Sequence, residues 1–185
     1  MNKHTKKQIV SKYTDRLDNL KLIFDKIINI SNLEDKRLYQ RKIIFIVGLP
    51  RSGTTLLHQL IASAPDIDGV GESSVVPYFF EKMIFSKDFL DNLYKNNKFN
   101  KDYLIEMSNL LGNRFDKIMQ QDKKIIVDKN PSNFYWIGFL KLLFPNSKVI
   151  HIKRDLKDVS LSLYKNILLK NQNIFSSKLD IILFV

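Results

Sequence analysis

Residues 43–57, Ile-Ile-Phe-Ile-Val-Gly-Leu-Pro-Arg-Ser-Gly-Thr-Thr-Leu-Leu, hold the pattern on which the reading of this 185-residue chain turns. The β-branched and aromatic run 43–47 reads as a short buried strand. It enters a turn, Gly48 to Gly53, and then residues 54–63, where Leu56, Leu57, Leu60 and Ile61 recur at helical spacing. A glycine loop between strand and helix aims successive backbone N–H groups into one concavity, and the helix dipole favours an anion there.

The same alternation recurs on either side. Short strands are predicted at 67–71, 124–127 and 148–152, with helices over 132–144 and 156–168. Residues 77–121 read as mostly helical, with a polar break around 95–100. Upstream, Leu17, Leu20, Ile23, Phe24, Ile27 and Ile28 mark an amphipathic helix, followed by a charged connector over 35–42. Strands alternating with helices predict an α/β protein: a P-loop NTPase-like three-layer fold with a central parallel sheet flanked by helices. Residues 1–42 are expected to be a helical flank and 43–185 the domain itself. The Gly48 loop, Glu72, Lys129 and Arg154 each follow a predicted strand end, where ligands bind in open α/β sheets.

Composition narrows the classes. The chain is 44% hydrophobic and 26% charged, ordinary globular chemistry, and has no cysteine, so disulfides and thiolate metal sites are excluded. No two of His4, His58 and His151 stand at metal-ligand spacing. The net charge of +11 favours anionic partners, although compositional drift toward lysine accounts for it equally well. The N-terminal lysines precede no apolar run, and the longest apolar stretches, such as 43–47 and 181–185, are too short to span a bilayer. A cytoplasmic protein with no membrane partner is expected. No basic patch interleaved with aromatic residues stands out, so no nucleic acid partner is expected.

The Gly48 to Gly53 spacing matches a nucleotide-binding P-loop, but Thr54 stands where that motif requires lysine. A P-loop kinase or NTPase uses that lysine on the β- and γ-phosphates, so its absence counts against this alternative. The run 43–57 resembles the 5′-phosphosulfate loop of sulfotransferases that use 3′-phosphoadenosine 5′-phosphosulfate (PAPS). The form is closest to the protein-tyrosine sulfotransferases and bacterial relatives fused behind tetratricopeptide repeats. The similarity continues in order through GVGE at 69–72, DKNPSNFYWIGFL at 128–140, FPNSKVIHIKRD at 144–155 and DVSLSLYKN at 158–166.

The resemblance implies that Arg51, Ser52, Gly53, Thr54 and Thr55 hold the 5′-phosphosulfate, and that Arg154 and Ser162 hold the 3′-phosphate. Guanidinium forks match phosphate oxygens, and a hydroxyl eight residues on can share that face of a helix. By the same resemblance Lys129 sits at the bridging oxygen of the donor, with Arg51 also catalytic, and Glu72 is the general base for the acceptor hydroxyl. Against these stand plainer roles: an Arg154 salt bridge to Asp155 or Asp158, an exposed helix serine at Ser162, a solvated loop lysine at Lys129, and a helix N-terminal carboxylate at Glu72. The animal tyrosine enzymes carry two adjacent glutamates where this chain has Glu72-Ser73. His58 reads as a packing residue, His151 as facing the layer that covers the sheet, and Phe134, Trp136 and Phe139 as a core stripe. The expected activity is sulfuryl transfer from PAPS, without a metal, to a hydroxyl on a peptide tyrosine, glycan or small molecule. Family members continue well past the segment matching 175–185, so this chain is expected to lack their C-terminal part and to be a poor catalyst on its own.

Overall fold

A computed structural model describes residues 3–28, 36–84, 86–94, 100–120 and 122–169. Its centre is β1 (Lys42–Gly48), whose interior residues Phe45 and Ile46 are fully buried. With β2 (Ile67–Gly71), β3 (Ile125–Lys129) and β4 (Lys148–Ile152) it forms a four-stranded, all-parallel sheet in the order β2-β3-β1-β4. Parallel neighbours require crossovers, and the helices supply them: α2 (Thr54–Ala62) between β1 and β2, α6 (Ile137–Leu143) between β3 and β4. Between β2 and β3 the chain makes α3 (Val75–Ile84), α4 (Lys87–Tyr94) and α5 (Lys101–Ile118); α7 (Leu156–Leu169) follows β4. The α/β fold with a parallel sheet flanked by helices is the one expected.

Alternation along β1 divides its side chains between two layers. Ile43 and Phe45 join an aromatic-rich core with Phe80, Phe115, Trp136, Phe139 and Phe144. Ile46, buried as completely, lies outside that cluster. Phe80 stacks on Trp136 with ring centroids 5.0 Å apart, which ties α3 to the segment after β3. The N-terminal helix α1 (Lys3–Ile28) buries Leu20, Ile23 and Ile27 in this core, and Phe24 meets Phe139 edge-on at 5.6 Å.

Several expectations need correction. β3 does not stop at Val127: Asp128 and Lys129 continue it, paired with Phe45 and Ile46 of β1. Asp128 is fully buried at this strand end, where Asn133 Nδ2 donates to its carboxylate at 2.9 Å. The helix predicted over 132–144 divides into a 3-10 helix, Pro131–Trp136, and α6. That tighter turn rotates Phe134 out of the stripe, half exposed against Tyr135, while Trp136 and Phe139 are buried as expected. His151 lies on the edge strand β4 and is exposed rather than facing a covering layer. On α1, Leu17 and Ile28 are exposed and only the central residues of the pattern face the core. Most of the polar break at 95–100 and all of 170–185, including the apolar run 181–185, lie outside the described residues. Among the described residues no helix is long and apolar enough to cross a membrane.

Candidate active site

The first group of candidates sits on the loop after β1. Gly48 can only be glycine: a Cβ there would lie 2.6 Å from the Ile152 carbonyl oxygen of β4. Arg51 has φ 71 and Gly53 φ 102, so two residues of the loop are left-handed. A left-handed arginine is strained, and such strain is stored where the surroundings over-determine it. Three contacts do so. Ser52 N donates to Leu49 O at 3.1 Å, Arg51 Nε donates to Ser162 Oγ at 3.0 Å, and Arg154 Nη1 donates to Arg51 O at 3.3 Å. Gly53, at the N-cap of α2, offers no side chain, so the first N–H groups of the helix point out of the loop uncapped. Ser52 Oγ is buried and has no protein hydrogen-bond partner; Thr54 is buried beside it, and Thr55 is exposed.

Thus Arg51, Arg154 and Ser162 come together although they lie on three different segments. Arg154 also reaches Asp158, one helical turn on, at 3.5 Å, so the salt bridge weighed as its plainer role is present alongside. Both partners are about half exposed, where such a pair contributes little to stability.

The second group spans the tips of β2 and β3. Lys129 Nζ contacts Glu72 Oε1. The lysine side chain is only 7% exposed and the glutamate 60%, so the ammonium is held from below and the carboxylate faces solvent. Lys129 is therefore a buried strand residue and not a solvated loop lysine. Asn130 continues the link, donating from Nδ2 to Ser73 O at 2.8 Å while its Oδ1 accepts from Ser132 N at 3.0 Å and caps the 3-10 helix. On the opposite face of β3 from Lys129, burial pushes the Asp128 carboxyl up to about 7, opposed by Asn133, Ser73 and Lys129. Ser73 lies near enough to lower that proton affinity, yet its hydroxyl is outside hydrogen-bond geometry, as are Asp128 Oδ1 and Asn133 Oδ1. The two groups share the carboxyl edge of the sheet, since Ile46 pairs with Lys129 and Gly48 with Ile152.

Three further residues shape this edge of the sheet. His58 accepts a hydrogen bond from Gly71 N at Nε2, 3.2 Å, and Asp128 and Asn133 form a buried pair at the end of β3. Nothing in their spacing distinguishes these from packing residues. Asn130 caps the 3-10 helix that Pro131 opens. Among the described residues no group of three or more His, Cys, Asp or Glu could hold a metal ion.

Fold and site define a P-loop-like α/β protein with an uncapped helix N-terminus and three cations at the carboxyl edge of its sheet. A profile of the sulfotransferase family matches residues 44–182, and the chain belongs to that family. It is 31% identical over 141 residues to an uncharacterized protein of Aquifex aeolicus (strain VF5), covering 74% of this chain and 18% of that one. Protein-tyrosine sulfotransferase 1 of Homo sapiens and of Mus musculus is each 28% identical over 116 residues, 61% of this chain and 31% of the relative. The chain thus spans less than a third of the length of these relatives.

Proposed function

We propose that the chain carries the donor site of a PAPS-dependent sulfotransferase that moves a sulfuryl group to an acceptor hydroxyl, a peptide tyrosine being one candidate. The observation that carries this reading is the union of Arg51, Arg154 and Ser162 across 111 residues of sequence, beside the uncapped start of α2. The residues fit a ligand with anionic groups at two ends. The amides of Gly53, Thr54 and Thr55 with the orphaned Ser52 hydroxyl would take the 5′ end, and Arg154 with Ser162 the 3′-phosphate. The donor, when bound, would supply the electrophilic sulfur.

The remaining work belongs to the protein. Lys129, buried and pointing up from the tip of β3, would stabilise charge that grows on the leaving oxygen, with Arg51 alongside. Glu72, solvent-facing, has Oε1 on Lys129 and would take the acceptor proton at Oε2. Donor binding is testable by isothermal titration with 3′-phosphoadenosine 5′-phosphate. Arg154→Ala should weaken binding by about 10- to 100-fold, the loss of one or two charge-assisted hydrogen bonds. Equal affinity in wild type and variant would remove Arg154 from the site. ATP with Mg²⁺ binding more tightly than the 3′-phosphorylated nucleotide would point instead to a kinase or NTPase.

A further inference from the structure

His58 lies on α2 with its ring against β2, where an added Cβ on Gly69 would meet its Cε1 and Nε2 at 2.8 Å. The β2–β3 ladder slips at this place: Gly69 pairs with Val127 but Gly71 with Asp128. The slip is a bulge, and bulges re-aim the residues that follow them. Gly71 has φ 67, a left-handed conformation that favours glycine, and its N–H turns to His58 Nε2 at 3.2 Å. Glu72 comes next in the chain and meets Lys129.

We propose that His58 is a positioning residue: by accepting the Gly71 N–H it fixes the bulged end of β2, and so holds the Glu72 carboxylate over Lys129. This rests on the reading of Glu72 as the base. An Nε2 that accepts must carry no proton, so the clamp needs a neutral ring. Burial lowers the His58 pKa below its ordinary value, the Lys129 charge lowers it further, and the Val127 backbone opposes them. The other ionisable groups on the packed elements are engaged elsewhere. Asp68 accepts from Gln120 N at 2.8 Å, Glu72 pairs with Lys129, and Asp128 accepts from Asn133. α2 carries no other charged residue. Below its titration midpoint the ring would become a donor facing a donor, and the clamp would open.

The test uses the full chain as wild type, His58→Gln and His58→Ala, with Glu72→Gln as the reference for Lys129 without its ion pair. A glutamine carbonyl can stand where Nε2 does; alanine cannot accept. Three signals are followed by NMR and kinetics: Gly71 amide exchange, the Lys129 ε-methylene resonance, and turnover with PAPS. Expected for His58→Ala are Gly71 exchange faster by about tenfold, a Lys129 resonance moved toward that of Glu72→Gln, and kcat down about tenfold with donor KM within about twofold. His58→Gln should restore all three. In the wild type, which needs no variant to fold, the Gly71 amide proton should shift in step with the His58 ring as pH falls, and this step should vanish in His58→Gln. Gly71 exchange that is alike in all three proteins overturns the clamp. An altered Gly71 with unmoved Lys129 resonance and kcat reduces His58 to a structural residue, which also overturns the proposal. If the wild type neither binds the donor nor turns over, the sulfotransferase reading fails by itself, and the Gly71 and Lys129 signals still decide whether His58 positions Glu72.

Discussion

Asp128 is a buried carboxyl whose ionisation bears on the stability of the folded protein. Its carboxyl is fully buried, and burial outweighs the hydrogen bond from Asn133 and the nearby Lys129 charge, which leaves a pKa of about 7 against an ordinary 3.8. Between those two values the folded protein retains a proton that the unfolded chain has released. Stability therefore falls as pH rises across that window and levels off above about 7. His58 works in the opposite direction, since its lowered pKa costs stability as pH falls below 6.5. Asp128→Asn keeps the shape and the Asn133 contact but cannot ionise. Relative to wild type it should gain stability between pH 4 and 8, by at most about 4 kcal/mol for a shift of this size. Urea midpoints of both proteins across that range measure the difference; parallel pH curves would show that Asp128 ionises normally.

Among the elements, the β1 loop sets the spacing of everything at the sheet edge. Gly48 lets β1 and β4 approach closely, and the close approach brings Arg154, beyond β4, within reach of the Arg51 carbonyl. The obstacle at Gly48 is a backbone oxygen of the neighbouring strand, which cannot swing aside as a side chain could. Gly48→Ala should therefore force β4 away, destabilising the protein by about 1–3 kcal/mol and weakening nucleotide binding at least about tenfold. Calorimetric melting paired with the titration described above measures both. A variant that melts lower but binds normally would separate the strand spacing from the site.

Across the whole molecule, the N-terminal helix is part of the core. Ile27 of α1 is 1% exposed and belongs to the same buried cluster as Phe45 of the central strand. Ile27→Ala should cost about 2–4 kcal/mol, as large-to-small changes in a packed core do, and should leave urea unfolding a single transition. A biphasic curve, with α1 melting first, would make residues 1–42 an independent unit. The +11 net charge adds a long-range term: attraction of an anionic nucleotide should weaken as salt rises, more at the exposed Arg154 than at the buried Lys129.

Local pattern alone determined the order of strands and helices and the glycine loop, because strand and helix periodicities and turn residues act over a few positions; the family came from the resemblance of the motifs in their order along the chain. The end of β3, the 3-10 segment that turns Phe134 outward, the burial of Lys129 beneath Glu72 and the His58–Gly71 clamp were decided by tertiary structure. Each depends on what a distant segment places alongside, Ile46 beside Lys129 or α2 beside the bulge of β2. Burial, which sets the chemistry open to a lysine, aspartate or histidine, belongs to the packed chain and not to any short stretch of it.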